Sequence, residues 1–218
     1  MKKEVNKSLI TLISTAIIAF LCFVALMILV LCDYNFKIDK FNVVIANNRN
    51  GFWTGFFKIF TRLGSFYTLA ILMLIGVILI WFVLKDKRTS LFYAVTFSCA
   101  CIVSAIIKRI VQRTRPEHLM IIKQGGFSFP SGHSIMIFAF FALAIHFVCK
   151  FVKIKPLKIT LVSVFSVIIG LIGFSRIYLG VHYLSDVIAG FLISYVVVAI
   201  FLMLYNSKNF KFLKDKEE

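Results

Sequence analysis

Six apolar runs, each close to the ~20 residues a helix needs to cross a bilayer, alternate with shorter polar segments along this chain. They lie at about Leu9–Cys32, Phe66–Leu84, Thr89–Ile107, Ser131–Cys149, Leu157–Phe174 and His182–Tyr205. The pattern predicts an all-α polytopic membrane protein with six transmembrane helices. No soluble domain is left over, so residues 1–218 read as a single membrane domain. The first run follows Met1-Lys2-Lys3 as a signal peptide would. It is longer than an h-region and lacks a small-x-small cleavage site, so we read it as an uncleaved anchor.

Between the first two runs, Asp33 to Ser65 is too apolar for a solvated loop. Phe36, Ile38, Phe41, Val44 and Ile45 precede Asn47-Asn48-Arg49-Asn50-Gly51. Phe52, Trp53, Phe56, Phe57 and Phe60 follow, interleaved with Lys58 and Arg62. This predicts two amphipathic helices joined by a turn and lying in the membrane interface. They serve either as an aromatic anchor or as one wall of a groove for a lipid tail. Gly125-Gly126 and Gly180 mark the turns of the two later loops on the same side.

Composition sharpens this picture. The chain is 61% hydrophobic and 16% charged, with a mean hydropathy of +0.95, well beyond a soluble domain. A net charge of +16 would suggest nucleic acid in a soluble protein. Here the cations flank apolar runs, so membrane orientation explains them and no nucleic-acid partner is expected. An even number of spans puts both termini on one side. That side and its two short loops hold fourteen of the 25 basic residues, including Lys85, Lys87, Arg88, Lys150, Lys153, Lys155 and Lys158. The tails add Lys2, Lys3, Lys7, Lys208, Lys211, Lys214 and Lys216. This side is read as cytoplasmic and the opposite one as extracytoplasmic. The five cysteines lie in or at the ends of spans and suggest no disulfide framework.

Three stretches then stand out, all at the outer ends of spans: Lys108-x6-Arg115-Pro116, Pro130-Ser131-Gly132-His133, and Ser175-Arg176-x5-His182-x3-Asp186. Lys108 and Arg115 are two helical turns apart and share a face if the third span runs on past the membrane. Pro116 marks where it should stop. A basic helix end binding lipid headgroups, with Arg109 and Arg113 doing the same, is the plainer reading. Ser131 is a good N-cap, and the helix start behind it, with Gly132, suits a phosphate oxygen. His133 enters the membrane boundary, which is costly unless it is paired or used.

Asp186 is the sole carboxylate between Glu117 and Asp215. It meets His182 if both are helical, and would then hold the tautomer that leaves Nε2 as a nucleophile. A purely structural His–Asp pair is the alternative. His146 belongs to the cytoplasmic end and His118 to a solvated loop.

These three motifs resemble those of the type 2 phosphatidic acid phosphatase (PAP2) family of lipid phosphatases. They match at Lys108, Arg115, Pro116, Pro130, Ser131, Gly132, His133, Ser175, Arg176, His182 and Asp186. Leu184 departs from the proline often found there in bacterial members. The resemblance implies a catalytic set of His182 as nucleophile, His133 as acid and base, and Asp186 as orienting group. Lys108, Arg115, Ser131, Gly132 and Arg176 would bind the phosphate, with no metal and no cofactor. It implies a membrane lipid phosphate or diphosphate as substrate, undecaprenyl diphosphate first, then a phosphatidylglycerophosphate or phosphatidic acid. Transfer to a lipid or sugar hydroxyl, and a non-enzymatic anion transporter, are the competing functions. Oligomeric state is left open.

Overall fold

The computed structural model describes residues 2–34 and 36–206, the side chains of 2–7 excepted. The C-terminal basic residues used for orientation, Lys208 to Lys216, and Asp215 fall outside the described residues.

All regular structure among the described residues is helical. Helix α1 spans Lys2–Leu31. The segment after α1 then folds as a 3-10 turn (Lys37–Lys40), α2 (Phe41–Asn47), α3 (Gly51–Phe60) and a second 3-10 turn (Thr61–Gly64). Four further long helices follow a shorter one: α4 (Phe66–Phe82), α5 (Lys87–Val111), α6 (Gly132–Phe151), α7 (Lys155–Tyr178) and α8 (Leu184–Asn206). Local chemistry sets the starts: Asn50, Ser65, Asp86 and Ser131 each cap a helix by accepting the backbone N–H three residues on.

Five of these helices are long and apolar enough to cross a membrane: α1 from Ser8, α5, α6, α7 and α8. The second expected span, α4, has 17 residues, and reaches a full span only together with the α3 segment, from which it bends by 46°. It stops short because Lys85 turns into a left-handed conformation (φ 54°) and Asp86 immediately caps α5. Exposed Leu, Ile and Phe side chains on α1, α4 and α7 form an apolar outer surface suited to lipid.

Helix α8 is the centrepiece, touching α1, α5, α6 and α7. At Gly190 an added Cβ would lie 2.8 Å from Ser134 Cβ and 2.9 Å from Ser131 O, so α6 and α8 cross almost backbone to backbone. One end of the bundle is clasped by a polar knot. Lys150 bonds Tyr205 Oη at 2.7 Å and Asp86 at 3.2 Å, and Thr89 bonds Tyr205 Oη at 2.7 Å. His146 lies there among Phe92, Tyr93 and Tyr205, as the sequence suggested. The opposite end gathers the C-termini of α5 and α7 and the N-termini of α6 and α8.

The outer segment docks on α7 through Phe57, whose ring meets Phe174 and Tyr178 at 5.5 and 4.7 Å. Phe52 and Ile59 remain exposed. Its inward face is therefore an aromatic contact with α7.

Candidate active site

The three motifs converge at the end of the bundle opposite the Lys150–Tyr205 knot, and α5 reaches it differently from expectation. It ends at Val111, four residues before Arg115, where Gln112 adopts a left-handed conformation (φ 51°). Beyond it, Arg113 O accepts from Ser128 N at 2.8 Å, pulling the chain across towards α6. Arg115 therefore reaches the site from a loop. Its guanidinium donates to Gly126 O, Gly125 O, Phe127 O and Val181 O, and sits 3.1 Å from His182 Nε2. Lys108, still on α5, donates to Phe127 O at 2.7 Å. Its Cε lies 3.7 Å from where a Cβ on Gly132 would stand. The lysine thus lies against the start of α6.

Ser131 is fully buried and caps α6 through Ser134 N, while its own N–H donates to Asp186 O at 3.0 Å. His133, one residue into the helix, lies within electrostatic reach of Arg176, His182, Arg115 and Lys108. Arg176 is 1% exposed. It donates to Thr61 Oγ1 at 2.7 Å and Gln124 Oε1 at 3.0 Å, leaving its buried Nε without a partner. Ser175 takes no part, since its hydroxyl donates to Ile172 O within its own helix.

His182 precedes α8, so the expected helical pairing with Asp186 is replaced by a turn. Gly180, in a left-handed conformation (φ 71°), supplies that turn; a side chain there would strike Leu119 O. The pair still forms. His182 Nδ1 stands 3.4 Å from Asp186 Oδ2, and the same oxygen accepts from Tyr183 N at 2.9 Å and from Ser128 Oγ. Asp186 Oδ1 accepts from Arg113 Nη1 at 2.6 Å. Four donors converge on this buried carboxylate, which favours its ionised form. With Nδ1–H directed at Asp186, the neutral ring keeps its lone pair on Nε2. Burial, with Arg176 and Arg115 nearby, pushes the His182 imidazole down to about 3 against the opposing pull of Asp186. The ring is then neutral at neutral pH.

Arg113 is the main correction. It belongs to a half-buried ion-pair network with Asp39 and Asp186 and is not a free headgroup ligand at a basic helix end. Besides Asp186 it donates to Ser185 Oγ at 2.7 Å and Asp39 Oδ2 at 2.8 Å. Burial lowers its affinity for a proton, but Asp186 and Asp39 outweigh burial and raise it above the ordinary value. Asp39, Ser128, Gln124 and Thr61 were likewise missed. Each is an ordinary polar residue in a loop or a 3-10 turn, recognisable only by its partner. His118 is exposed, as expected of a bystander.

The arrangement offers a nucleophilic nitrogen beside three cations, Lys108, Arg115 and Arg176, whose described hydrogen bonds go only to neutral groups. A helix N-terminus and a second imidazole complete it. Such a set suits the oxygens of a phosphoryl group.

Comparison with known proteins agrees. The model of the PAP2 superfamily matches residues 88–210. The phosphatidylglycerophosphatase B of Bacillus subtilis is 29% identical over 133 residues, 60% of this chain and 64% of the relative. The lipid A 1-phosphatase of Rhizobium johnstonii is 36% identical over 110 residues, 46% of this chain and 40% of the relative. The chain therefore matches less than two thirds of the length of either relative. Among solved structures, the Bacillus subtilis transmembrane PAP2-type phosphatidylglycerolphosphate phosphatase shares the fold, with a TM-score of 0.79 at 23% identity, covering 87% of this chain and 95% of that one. Aquifex aeolicus LpxE superposes with a TM-score of 0.61 at 25% identity, covering 75% of this chain and 93% of that one.

Proposed function

Because this chain belongs to the PAP2 superfamily, we propose that it is a membrane lipid phosphatase that hydrolyses a lipid phosphate or diphosphate through a phosphohistidine. One observation carries the reading: His182 is held by Asp186 on Nδ1 while its Nε2 faces the Arg115 guanidinium at 3.1 Å.

In the first step His182 Nε2 forms a bond to phosphorus as the bond to the leaving oxygen breaks. His133 gives its proton to that oxygen, and Asp186 stabilises the imidazolium that develops on His182. Lys108, Arg115 and Arg176 hold the non-bridging oxygens, with the start of α6 behind them. In the second step a water loses its proton to His133 and attacks phosphorus. The P–N bond breaks and inorganic phosphate leaves. Three cations take the charge-neutralising role that a divalent ion has in other phosphoryl transfers. No metal is required by this scheme.

The substrate reading rests on setting and on relatives. The site lies at one end of a bundle of helices long and apolar enough to span a membrane, where a lipid headgroup would reach it. The excess of basic residues at the opposite ends and in the tails supports an extracytoplasmic site with both termini cytoplasmic. Undecaprenyl diphosphate is the first substrate to test. The name of the Bacillus subtilis relative gives specific support to phosphatidylglycerophosphate as the second.

The test is phosphate release by the purified protein in mixed micelles with EDTA, from undecaprenyl diphosphate, phosphatidylglycerophosphate and phosphatidic acid. Release from at least one, lost in His182→Ala, is expected. Release that needs a divalent ion, or survives His182→Ala, overturns the mechanism. A phosphorylated acceptor in place of free phosphate would make the protein a transferase.

A further inference from the structure

We propose that the outer segment from Lys37 to Asn47 is a strap that positions the nucleophile, with Asp39 and Asn42 as positioning residues acting through Arg113, Ser185 and the backbone of His182. This rests on the reading of His182 and Asp186 as nucleophile and orienting group.

The strap has two faces. Ile38, Phe41, Val43 and Val44 are exposed on it, as suits a segment at a lipid interface. Asn42 between them is 0% exposed, which for an amide demands partners. Both of its partners lie in the nucleophile turn. Asn42 Nδ2 donates to His182 O at 2.7 Å, and Asn42 Oδ1 accepts from Leu184 N at 3.2 Å. The amide thus brackets Tyr183 and fixes the backbone on either side of it.

Asp39 holds the next stretch. Its Oδ1 accepts from Ser185 N at 2.9 Å, and its Oδ2 accepts from Ser185 Oγ and Arg113 Nη2, both at 2.8 Å. Arg113 then spans Asp39 and Asp186 with one guanidinium, and stacks over the Tyr183 ring at 4.1 Å. Every backbone unit from His182 to Ser185 is therefore fastened either to the strap or to Asp186. A free N-terminal turn of α8 would let His182 swing on the left-handed Gly180 hinge. The strap removes that freedom.

Groups that orient a reacting side chain without touching substrate typically change rates by about 10–100-fold when lost. They touch none of the cations that hold phosphate. Asp39→Asn, Asn42→Leu and Arg113→Lys should each lower kcat by about 10–100-fold, with KM within about threefold of native. Asp39→Asn combined with Arg113→Lys should cost little more than either alone, because both break one bridge. Arg113→Lys keeps the charge and loses only the two-armed geometry, so a loss there reports positioning and not net charge. Asn50→Ala removes a helix cap in the same outer segment, away from the nucleophile turn. It should leave kcat unchanged and serves as the control for general loosening.

The measurement is steady-state phosphate release in mixed micelles beside His182→Ala and Asp186→Ala. If those two remain active, the function proposed above fails. If they are inactive while Asp39→Asn and Arg113→Lys keep native kcat, the strap is structural and this inference alone is overturned. Should Asn42→Leu not accumulate in membranes, the Asp39 and Arg113 variants decide. Equal losses in Asn50→Ala would also refute it.

Discussion

Replacing Arg176 by glutamine tests the phosphate clamp where the structure gives the clearest energetic handle. The side chain is 1% exposed and two of its nitrogens are satisfied, by Thr61 at 2.7 Å and Gln124 at 3.0 Å. Nε is buried and unpartnered. A buried donor without a partner costs about 1–3 kcal/mol in the empty enzyme, and a bound phosphoryl oxygen removes that cost. Two charge-assisted bonds to such oxygens, at about 2 kcal/mol each, sum to about 4 kcal/mol. That corresponds to about 10³-fold in kcat/KM. Arg176→Gln should show that loss in phosphate release, and Arg176→Lys a smaller one, because it keeps the charge without the fork. A second readout is independent of turnover. Vanadate, which mimics the pentacoordinate phosphorus, should raise the melting temperature of the native protein and leave that of Arg176→Gln nearly unchanged. A kcat/KM within tenfold of native in Arg176→Gln, or equal stabilisation by vanadate in both, would refute the clamp.

Three further outcomes follow from the same geometry. Gly190→Ala should lower thermal stability by about 1–3 kcal/mol through overpacking, since the new Cβ meets Ser131 O at 2.9 Å; an unchanged melting temperature would mean α6 and α8 separate easily. Stability should also fall on acidification. The folded state holds His182 near 3, below the ordinary 6.5, so the unfolded chain binds more protons in between. His182 contributes its full stabilisation above about pH 6.5 and loses about 1.4 kcal/mol per pH unit as pH drops towards 3; melting curves from pH 4.5 to 7 should be flatter for His182→Asn than for the native protein. Finally, His133→Ala should lower phosphate release by several orders of magnitude and His118→Ala hardly at all, which a parallel assay of the two variants decides.

The six apolar runs were legible because bilayer thickness fixes their length, and the ends of α5, α6, α7 and α8 lie within a few residues of the expected limits. His133, Arg176, His182 and Asp186 were legible for a related reason: a polar residue at a membrane boundary is costly and so invites a partner. What stayed hidden depends on distant contacts. Nothing local distinguishes Arg113 from Arg109, four residues apart in one basic run. Only Asp39, 74 residues earlier, and Asp186, 73 residues later, make Arg113 an internal residue. The early end of α5 was hidden likewise, because the bond from Ser128 N to Arg113 O belongs to the fold and not to the helix. Asp39 sits between Lys37, Ile38 and Lys40, where an acid reads as ordinary interfacial polarity.

Charge accounting explains why the hidden pair matters to the chemistry. The cluster holds four basic side chains, Lys108, Arg113, Arg115 and Arg176, and two carboxylates, Asp39 and Asp186. Arg113 contacts both carboxylates at 2.8 and 2.6 Å, whereas the other three cations bond carbonyls, a hydroxyl and an amide. On the proposed reading both acids pair with Arg113, and the surplus positive charge falls on Lys108, Arg115 and Arg176. A phosphate monoester dianion carries the matching charge. Asp186 can then serve His182 as an orienting anion without drawing the clamps onto itself. On that reading, the same ion pairs that hold the His182–Ser185 turn also leave the pocket its positive charge.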